Sequence, residues 1–143
     1  LGADILIDYR EQDFAEELKG TVDVILDNMG AKYLQSNLTA LGPDGRLVVI
    51  GLQGGTKAEL NLGAMLPKRV SLSALGLRGR PVEGPHGKAA ICAAVAEGLW
   101  PLIGDGKVKP VVHTTLPLER AAEAHRMLEE GGVVGKILLT VRA

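Results

Sequence analysis

The sequence has 143 residues, a formal net charge of −1 and 46% apolar side chains, with one Trp, one Phe and two Tyr. That size fits one domain or part of a larger protein, with a core built from Leu, Val, Ile and Ala in a layered α/β sheet. A near-neutral chain without a basic, aromatic-interleaved stripe excludes a nucleic-acid surface, and no apolar run approaches membrane-spanning length. Cys92 is the single cysteine, which leaves no disulfide framework or cysteine zinc site and suits a reducing, cytoplasmic setting.

The chain opens Leu1-Gly2-Ala3-Asp4 and runs into Ile5-Leu6-Ile7. This looks like a helix end passing directly into a strand, so the chain is expected to be a piece of a longer protein. Residues 4–9 predict that strand, with Asp8, Tyr9 and Arg10 at its C-terminal end. Asp13 with Glu16 reads as a capping box. A short helix with Phe14 and Leu18 on one face follows, stopped by Gly20.

Residues 22–55, VDVILDNMGAKYLQSNLTALGPDGRLVVIGLQGG, read as strand, turn, helix, turn, strand and glycine loop. Residues 22–26 are short, β-branched and nearly free of polar side chains, as in a strand buried on both faces. Leu34, Leu38 and Leu41 share a helical face. Gly42-Pro43-Asp44-Gly45 ends that helix, and residues 47–50 form the second strand. Two buried strands joined by a helix make a right-handed crossover, so they are expected to be parallel. Ligands of open parallel sheets bind beyond the C-terminal strand ends. Asp27-Asn28-Met29-Gly30 and Gly51-Leu52-Gln53-Gly54-Gly55 both fall there.

Each loop has two readings. Asp27 and Asn28 simply terminate a strand, or Gly30 leaves room for a ligand against the backbone. The glycines at 51, 54 and 55 have the same two readings, with the ligand reading favoured. Further on, residues 64–68 predict a helical turn stopped near Pro67, and residues 70–77 a strand running into Arg78-Gly79-Arg80-Pro81. Arg78 is a solvated strand-end charge or a contact for phosphate or ribose. Tyr9 is a loop aromatic or a stacking partner for a base.

Residues 85–103 carry a helical pattern, with Ile91, Ala94, Val95, Gly98, Leu99 and Leu102 in line and Pro101 expected to kink or split it. After the Gly104-Asp105-Gly106 turn come a strand over 111–116, a helix over 117–130 with Leu118, Ala121, Ala122, His125 and Leu128 inward, and a strand over 136–141. A composition shift at 104–110 suggests a domain boundary there.

Several chemistries lack their motifs. G-x-G-x-x-G is absent. Gly87-Lys88 and Gly135-Lys136 are not phosphate loops, since Val82 and Glu130 stand where the first glycine belongs. His86, His113 and His125 are unpatterned, so no metal site is expected. His125 reads as a packed, hydrogen-bonded histidine, and no G-x-S-x-G supports a nucleophile.

LGADILIDYREQDF, VDVILDNMG, GRLVVIGLQGG, LPKRVSLSALGLRGR, LPLERAAEAHRMLE and VVGKILLTV stand in the order found in medium-chain dehydrogenases/reductases. Across its whole length the chain resembles their zinc-free quinone oxidoreductase, zeta-crystallin-like branch. The resemblance implies an α/β fold: a partial Rossmann domain, a doubly wound parallel sheet lacking its first strands, over residues 1–110. It implies a strand-helix-strand segment over 111–143 that returns to a catalytic domain absent from this sequence. It implies an NADP(H)-dependent reductase passing hydride to a quinone or enone, with the cofactor carrying the chemistry. Alcohol dehydrogenase and enoyl reductase branches are the alternatives within the superfamily, and a non-catalytic dimeric module with a remnant nucleotide cleft is the alternative outside it.

The resemblance also implies roles for residues. Tyr9 matches a position beside the adenosine 2′-phosphate. Asn28 and Gly30 match the ribose side, and Gly51, Leu52 and Gln53 the loop under the nicotinamide ribose. Leu75, Leu77 and Arg78 match the strand end beside the nicotinamide, and Gly135 and Lys136 a C-terminal turn near the cofactor. No residue matches a proton donor. Relatives pair the strand equivalent to 70–77 edge to edge, and without proline or lysine nothing blunts that edge here. A homodimer is therefore expected, together with weak NADPH binding by this chain alone.

Overall fold

The computed structural model describes residues 2–141. The expectation at Leu1 and the last two residues of the 111–143 segment lie outside them. The chain divides into two compact units, residues 1–80 and 81–143.

The first unit opens without the strand expected over 4–9. Residues 5–8 take no regular structure, and Ile5 and Leu6 are 69% and 83% exposed. The reason is pairing. In a doubly wound sheet of order 3-2-1-4-5-6 the third strand bonds only to the second, and no second strand stands among the described residues. The chain turns instead at Asp8, whose carbonyl accepts the N–H groups of Glu11 (3.0 Å) and Gln12 (2.8 Å).

Helix α1 (Phe14–Glu17) starts where Asp13 accepts the Ala15 N–H at 2.9 Å. Strand β1 (Val22–Asp27), a 3₁₀ turn (Gly30–Tyr33), helix α2 (Leu34–Ala40) and strand β2 (Leu41–Val49) then form the expected crossover, although β1 is not buried on both faces as expected, Val24 and Leu26 being exposed. Helix α3 (Leu62–Met65), capped by Asn61, passes through a 3₁₀ turn (Leu66–Lys68) into strand β3 (Ser71–Ala74). The order is β1-β2-β3, all parallel.

Ile25 pairs with Leu47, which pairs with Leu72. The Gly42-Pro43-Asp44-Gly45 turn survives as a bulge inside β2: Val22 faces Leu41 while Val24 already faces Arg46. Leu38, Leu41 and Leu47 form the core, with Ile25, Leu34, Val49, Met65 and Val70 against it. Leu41 and Leu47 are fully buried, and their burial drives the sheet and α2 together.

At the sheet's N-terminal end, Lys68 binds the crossover. Its Nζ donates to the carbonyls of Leu38 (2.8 Å), Thr39 (3.0 Å) and Leu41 (2.7 Å). These carbonyls belong to the last turn of α2, where intrahelical donors run out and a cation is favoured by the helix dipole.

The second unit holds helix α4 (Lys88–Gly104), strand β4 (Val112–Pro117), helix α5 (Ala121–Glu130) and strand β5 (Lys136–Thr140). Strands β4 and β5 pair in parallel. Pro101 does not split α4, which runs on to Gly104. No residue of α4 is buried; of the aligned Ile91, Ala94, Val95, Gly98, Leu99 and Leu102, Ile91 and Leu99 are half-buried and the rest exposed. Apolar on all sides, the helix has no unique stripe to turn inward.

The inward face of α5 is also displaced from expectation. Ala124 is buried, whereas His125 is exposed and Leu128 is 55% exposed. Ala121, Ala124 and Met127, spaced by three, form the covered stripe. His125 is therefore not the packed histidine expected. Among the described residues no helix is long and apolar enough to cross a membrane.

Candidate functional site: the C-terminal rim of the parallel sheet

The three parallel strands of the first unit end in register. Asp27 faces Val49 and Val49 faces Ala74, so the loops that follow emerge along one rim. Ile50 N–H reaches the Asp27 carbonyl (2.7 Å), and Leu75 N–H reaches the Val49 carbonyl (2.9 Å), carrying the pairing past the strand ends.

Above the rim the two polar-glycine loops interlock. Gln53 N–H donates to the Asn28 carbonyl (3.1 Å), Gly54 N–H to the Met29 carbonyl (2.7 Å), and Ala31 N–H to the Gly55 carbonyl (3.1 Å). Their glycines are dictated by this contact. Gly51 lies so close to residue 28 that a Cβ there would stand 2.9 Å from the Asn28 carbonyl oxygen. Gly30 has a left-handed backbone (φ 72) and presses on Leu52 and the Gly55 carbonyl. The room a side chain would need is thus occupied by the neighbouring loop, a use of glycine that the sequence alone does not separate from ligand clearance.

Asp27 organises the turn beneath. It is 5% exposed, and its carboxylate accepts the N–H groups of Met29 (2.8 Å) and Gly30 (2.9 Å). This is an Asx turn at a strand end. Sequence reasoning passed over Asp27 as a strand terminator. The signal available to it was a carboxylate two and three residues before the turn's N–H groups.

The rim collects Asn28, Gly30, Gly51, Leu52, Gln53 and Leu75. Gly51, Leu52 and Leu75 line a cavity of about 270 Å³ with Val49, Ile50 and Ala74. Leu52 also lines a second cavity of about 290 Å³, with Gly30, Leu34 and Leu72 among its walls. The backbone N–H groups of Gly51 and Leu52 have no backbone acceptor among the described residues. An extended polar ligand with an apolar end suits this donor set beside aliphatic walls.

Other expected positions lie elsewhere. Leu77 and Arg78 are exposed in the bend after β3, closed by Arg80 N–H on the Leu77 carbonyl (3.1 Å). Tyr9 is exposed at the Asp8 turn. The neighbouring Arg10 holds the Asp8 carboxyl below its usual range, through its backbone N–H first and its side chain second. Gly135 and Lys136 belong to the second unit. There Gly135 (φ 92) leaves no space for a Cβ against the Val111 carbonyl, which accepts Lys136 N–H at 2.9 Å. These two residues shape the β4–β5 pairing.

Among the described residues no three His, Cys, Asp or Glu side chains gather as a metal site.

The family profile described as zinc-binding dehydrogenase matches residues 1–139. Quinone oxidoreductase of Rattus norvegicus is 30% identical over 144 residues, covering 96% of this chain and 41% of that protein. A crystal structure of an NAD-dependent alcohol dehydrogenase superposes with TM-score 0.73 at 28% identity, covering 99% of this chain and 39% of that one. A mycobacterial protein complexed with NADPH gives TM-score 0.73 at 25% identity, covering 96% of this chain and 43% of that one. The chain thus spans about two fifths of the length of the relatives it matches. Parallel topology, a rim of interlocked glycine loops and these likenesses agree: the chain belongs to the zinc-binding dehydrogenase family, in the quinone oxidoreductase branch of the medium-chain dehydrogenases/reductases.

Proposed function

We propose that this chain is the cofactor-domain portion of a zinc-free, NADP(H)-dependent oxidoreductase that transfers hydride to a quinone or enone. The observation that carries the reading is the shared rim, where Asn28, Gly30, Gly51, Leu52, Gln53 and Leu75 converge at the tips of three parallel strands. It is supported by the name of the rat relative and by the NADPH in the mycobacterial neighbour.

In this reading Asn28 and Gly30 serve the ribose side of the dinucleotide. Gly51, Leu52 and Gln53 seat the nicotinamide ribose through backbone groups, and Leu75 gives the ring an apolar wall. Leu77 and Arg78 belong to the strand-end loop beside the nicotinamide, Tyr9 serves the adenosine 2′-phosphate, and Gly135 and Lys136 come from the segment 111–143 that returns to a catalytic domain. The cofactor supplies the hydride. The chain's contribution is to hold and orient it and to exclude water with aliphatic side chains.

The protein is proposed to act in the cytoplasm as a homodimer paired along β3. A second reading, an alcohol dehydrogenase or enoyl reductase of the same superfamily, is favoured by the alcohol dehydrogenase neighbour. A third keeps the dimer and the cleft without catalysis.

The test is NADPH oxidation by the longer protein that the proposal implies, offered a quinone, an enone and an aldehyde. Quinone- or enone-dependent oxidation is expected. Turnover of the aldehyde alone favours the alcohol dehydrogenase reading, and no turnover with any acceptor favours the remnant cleft. Calorimetry should find NADPH binding weak in residues 1–143 alone, because the sequence has no G-x-G-x-x-G to seat the pyrophosphate at a helix N-terminus. Tight binding by the chain alone would overturn that expectation.

A further inference from the structure

We propose that Asp27 is a positioning residue that sets the height and spacing of both cofactor loops, although it lies beneath the surface that meets the cofactor. The inference rests on the cofactor reading above and adds to it a residue that the family resemblance did not assign.

The argument begins with hydrogen-bond directions. In the turn after β1, the N–H groups of Met29 and Gly30 both point back to one buried carboxylate, at 2.8 and 2.9 Å. An ionised carboxylate only accepts, and it has lone pairs enough for two N–H groups at once. With those N–H groups turned inward, the carbonyls of Asn28 and Met29 face the second loop, where they accept Gln53 and Gly54 N–H at 3.1 and 2.7 Å. The next bond along, Ala31 N–H to the Gly55 carbonyl at 3.1 Å, runs the opposite way. One carboxylate therefore fixes the peptide planes through which the two loops are joined.

No other side chain does this work at the rim. Among the described residues, Asp27 is the buried charged side chain of the molecule, and Asn37 the other buried polar one. Its ladder position, paired with Val49, places it at the last rung before the loops diverge. Gly51 is seated on Asn28 with no slack, since a Cβ there would already stand 3.2 Å from the Asn28 Cα. A rotation of the 28–29 peptides is thus transmitted to residues 51–54.

Asp27→Asn tests the idea in the full-length protein. It keeps the shape, but its single acceptor oxygen satisfies one N–H, while its amide group turns a donor toward the other. The first readout is hydrogen exchange without nucleotide. The bonded amides of Gln53 and Gly54 should exchange about tenfold faster or more, the equivalent of one charge-assisted hydrogen bond. Residues 46–48 of the central ladder should keep their protection.

The second readout is steady-state kinetics. The KM for NADPH should rise about tenfold or more with kcat changed far less, as expected for a displaced binding loop. A residue that only supports the fold would lower the active fraction, and so apparent kcat, without moving KM. Unchanged exchange at Gln53 and Gly54, or an unchanged KM beside faster exchange, overturns the proposal. Should Asp27→Asn fail to fold, Asp27→Glu, which retains both acceptors one methylene further out, is read in the same way. If neither variant folds, Asp27 is a determinant of folding and the proposal is overturned. A wild-type protein that oxidises no NADPH sinks the cofactor reading, a result told apart by the exchange data, which need no nucleotide.

Discussion

Asp44 and Arg69, two non-glycine residues with left-handed backbones (φ 60 and 54), hold each other through two hydrogen bonds of 2.8 and 2.7 Å. Each sits at a corner the chain must turn: Asp44 in the bulge of β2, Arg69 between the 3₁₀ turn and β3. The fork of the guanidinium matches the carboxylate, so two strained corners are registered against each other. Both side chains stand in solvent, where such a pair adds little stability; its effect is geometric.

The pair gives a pH signature. The hydrogen bonds from Arg69 hold the Asp44 carboxyl below its ordinary value of 3.8. The folded carboxyl thus binds its proton more weakly than the unfolded one. The contribution of the pair to folding is complete above about 3.8 and is lost as pH falls through the lower folded value. A carbon-detected NMR titration should find the Asp44 midpoint below 3.8, and Arg69→Gln should return it toward 3.8. A midpoint indifferent to that substitution would count against the pair in solution.

Lys68 should matter more to stability than any exposed ion pair. Lys68→Met keeps the length of the side chain and removes three donors from carbonyls at the end of α2. A loss of about 2 kcal/mol is expected, given three bonds from one charged donor at a helix end, although the Thr39 carbonyl keeps a second donor in Gly20 N–H. Urea unfolding of the two proteins, compared at equal slope, measures it.

Gly51→Ala should injure the rim. Its new Cβ meets the backbone of Asn28 at 2.9 and 3.2 Å, and the backbone is not free to step aside. Overpacking of this kind costs about 1–3 kcal/mol. Thermal unfolding should show the loss, and the proposed NADPH affinity should fall with it. A stable Gly51→Ala protein would mean that the two loops are less tightly joined than their hydrogen bonds indicate.

The proposed dimer makes a separate claim on β3. Leu75 N–H reaches the Val49 carbonyl, so the alternating amides of Leu72 and Ala74 point away from β2. Ala74→Pro removes an outward donor while sparing the ladder to β2. Sedimentation should find a dimer in the parent protein and a shift toward monomer in this variant. A dimer that ignores the proline is built through some other surface.

The parallel crossover was legible because its signals are local. Residues 22–26 and 47–50 are short apolar runs, and Leu34 and Leu38 keep helical spacing between them; Leu41, expected on the same helical face, instead opens β2 opposite Val22. Topology then placed both loops at one rim. Residues 4–9 misled because Ile5-Leu6-Ile7 has the composition of a strand, while strand formation needs a neighbour to bond to. On α5 the expectation met the covered face at Ala121 but missed Ala124 and Met127, because size favoured His125 and Leu128, which the structure leaves exposed. Gly30 and Gly51 were noticed for the right property, the lack of a Cβ, but the sequence does not say which neighbour uses the space. Asp27 was overlooked because one carboxylate accepting two backbone N–H groups has the same sequence as one ending a strand in solvent.

Helix α4 carries Trp100, the single tryptophan of the chain, with 65% of its surface open. The protein therefore has a native optical reporter on that element. Excited selectively, its indole should emit at the long wavelengths of a hydrated ring. A blue shift would register the moment another surface closes over α4, in a stopped-flow trace and without a label.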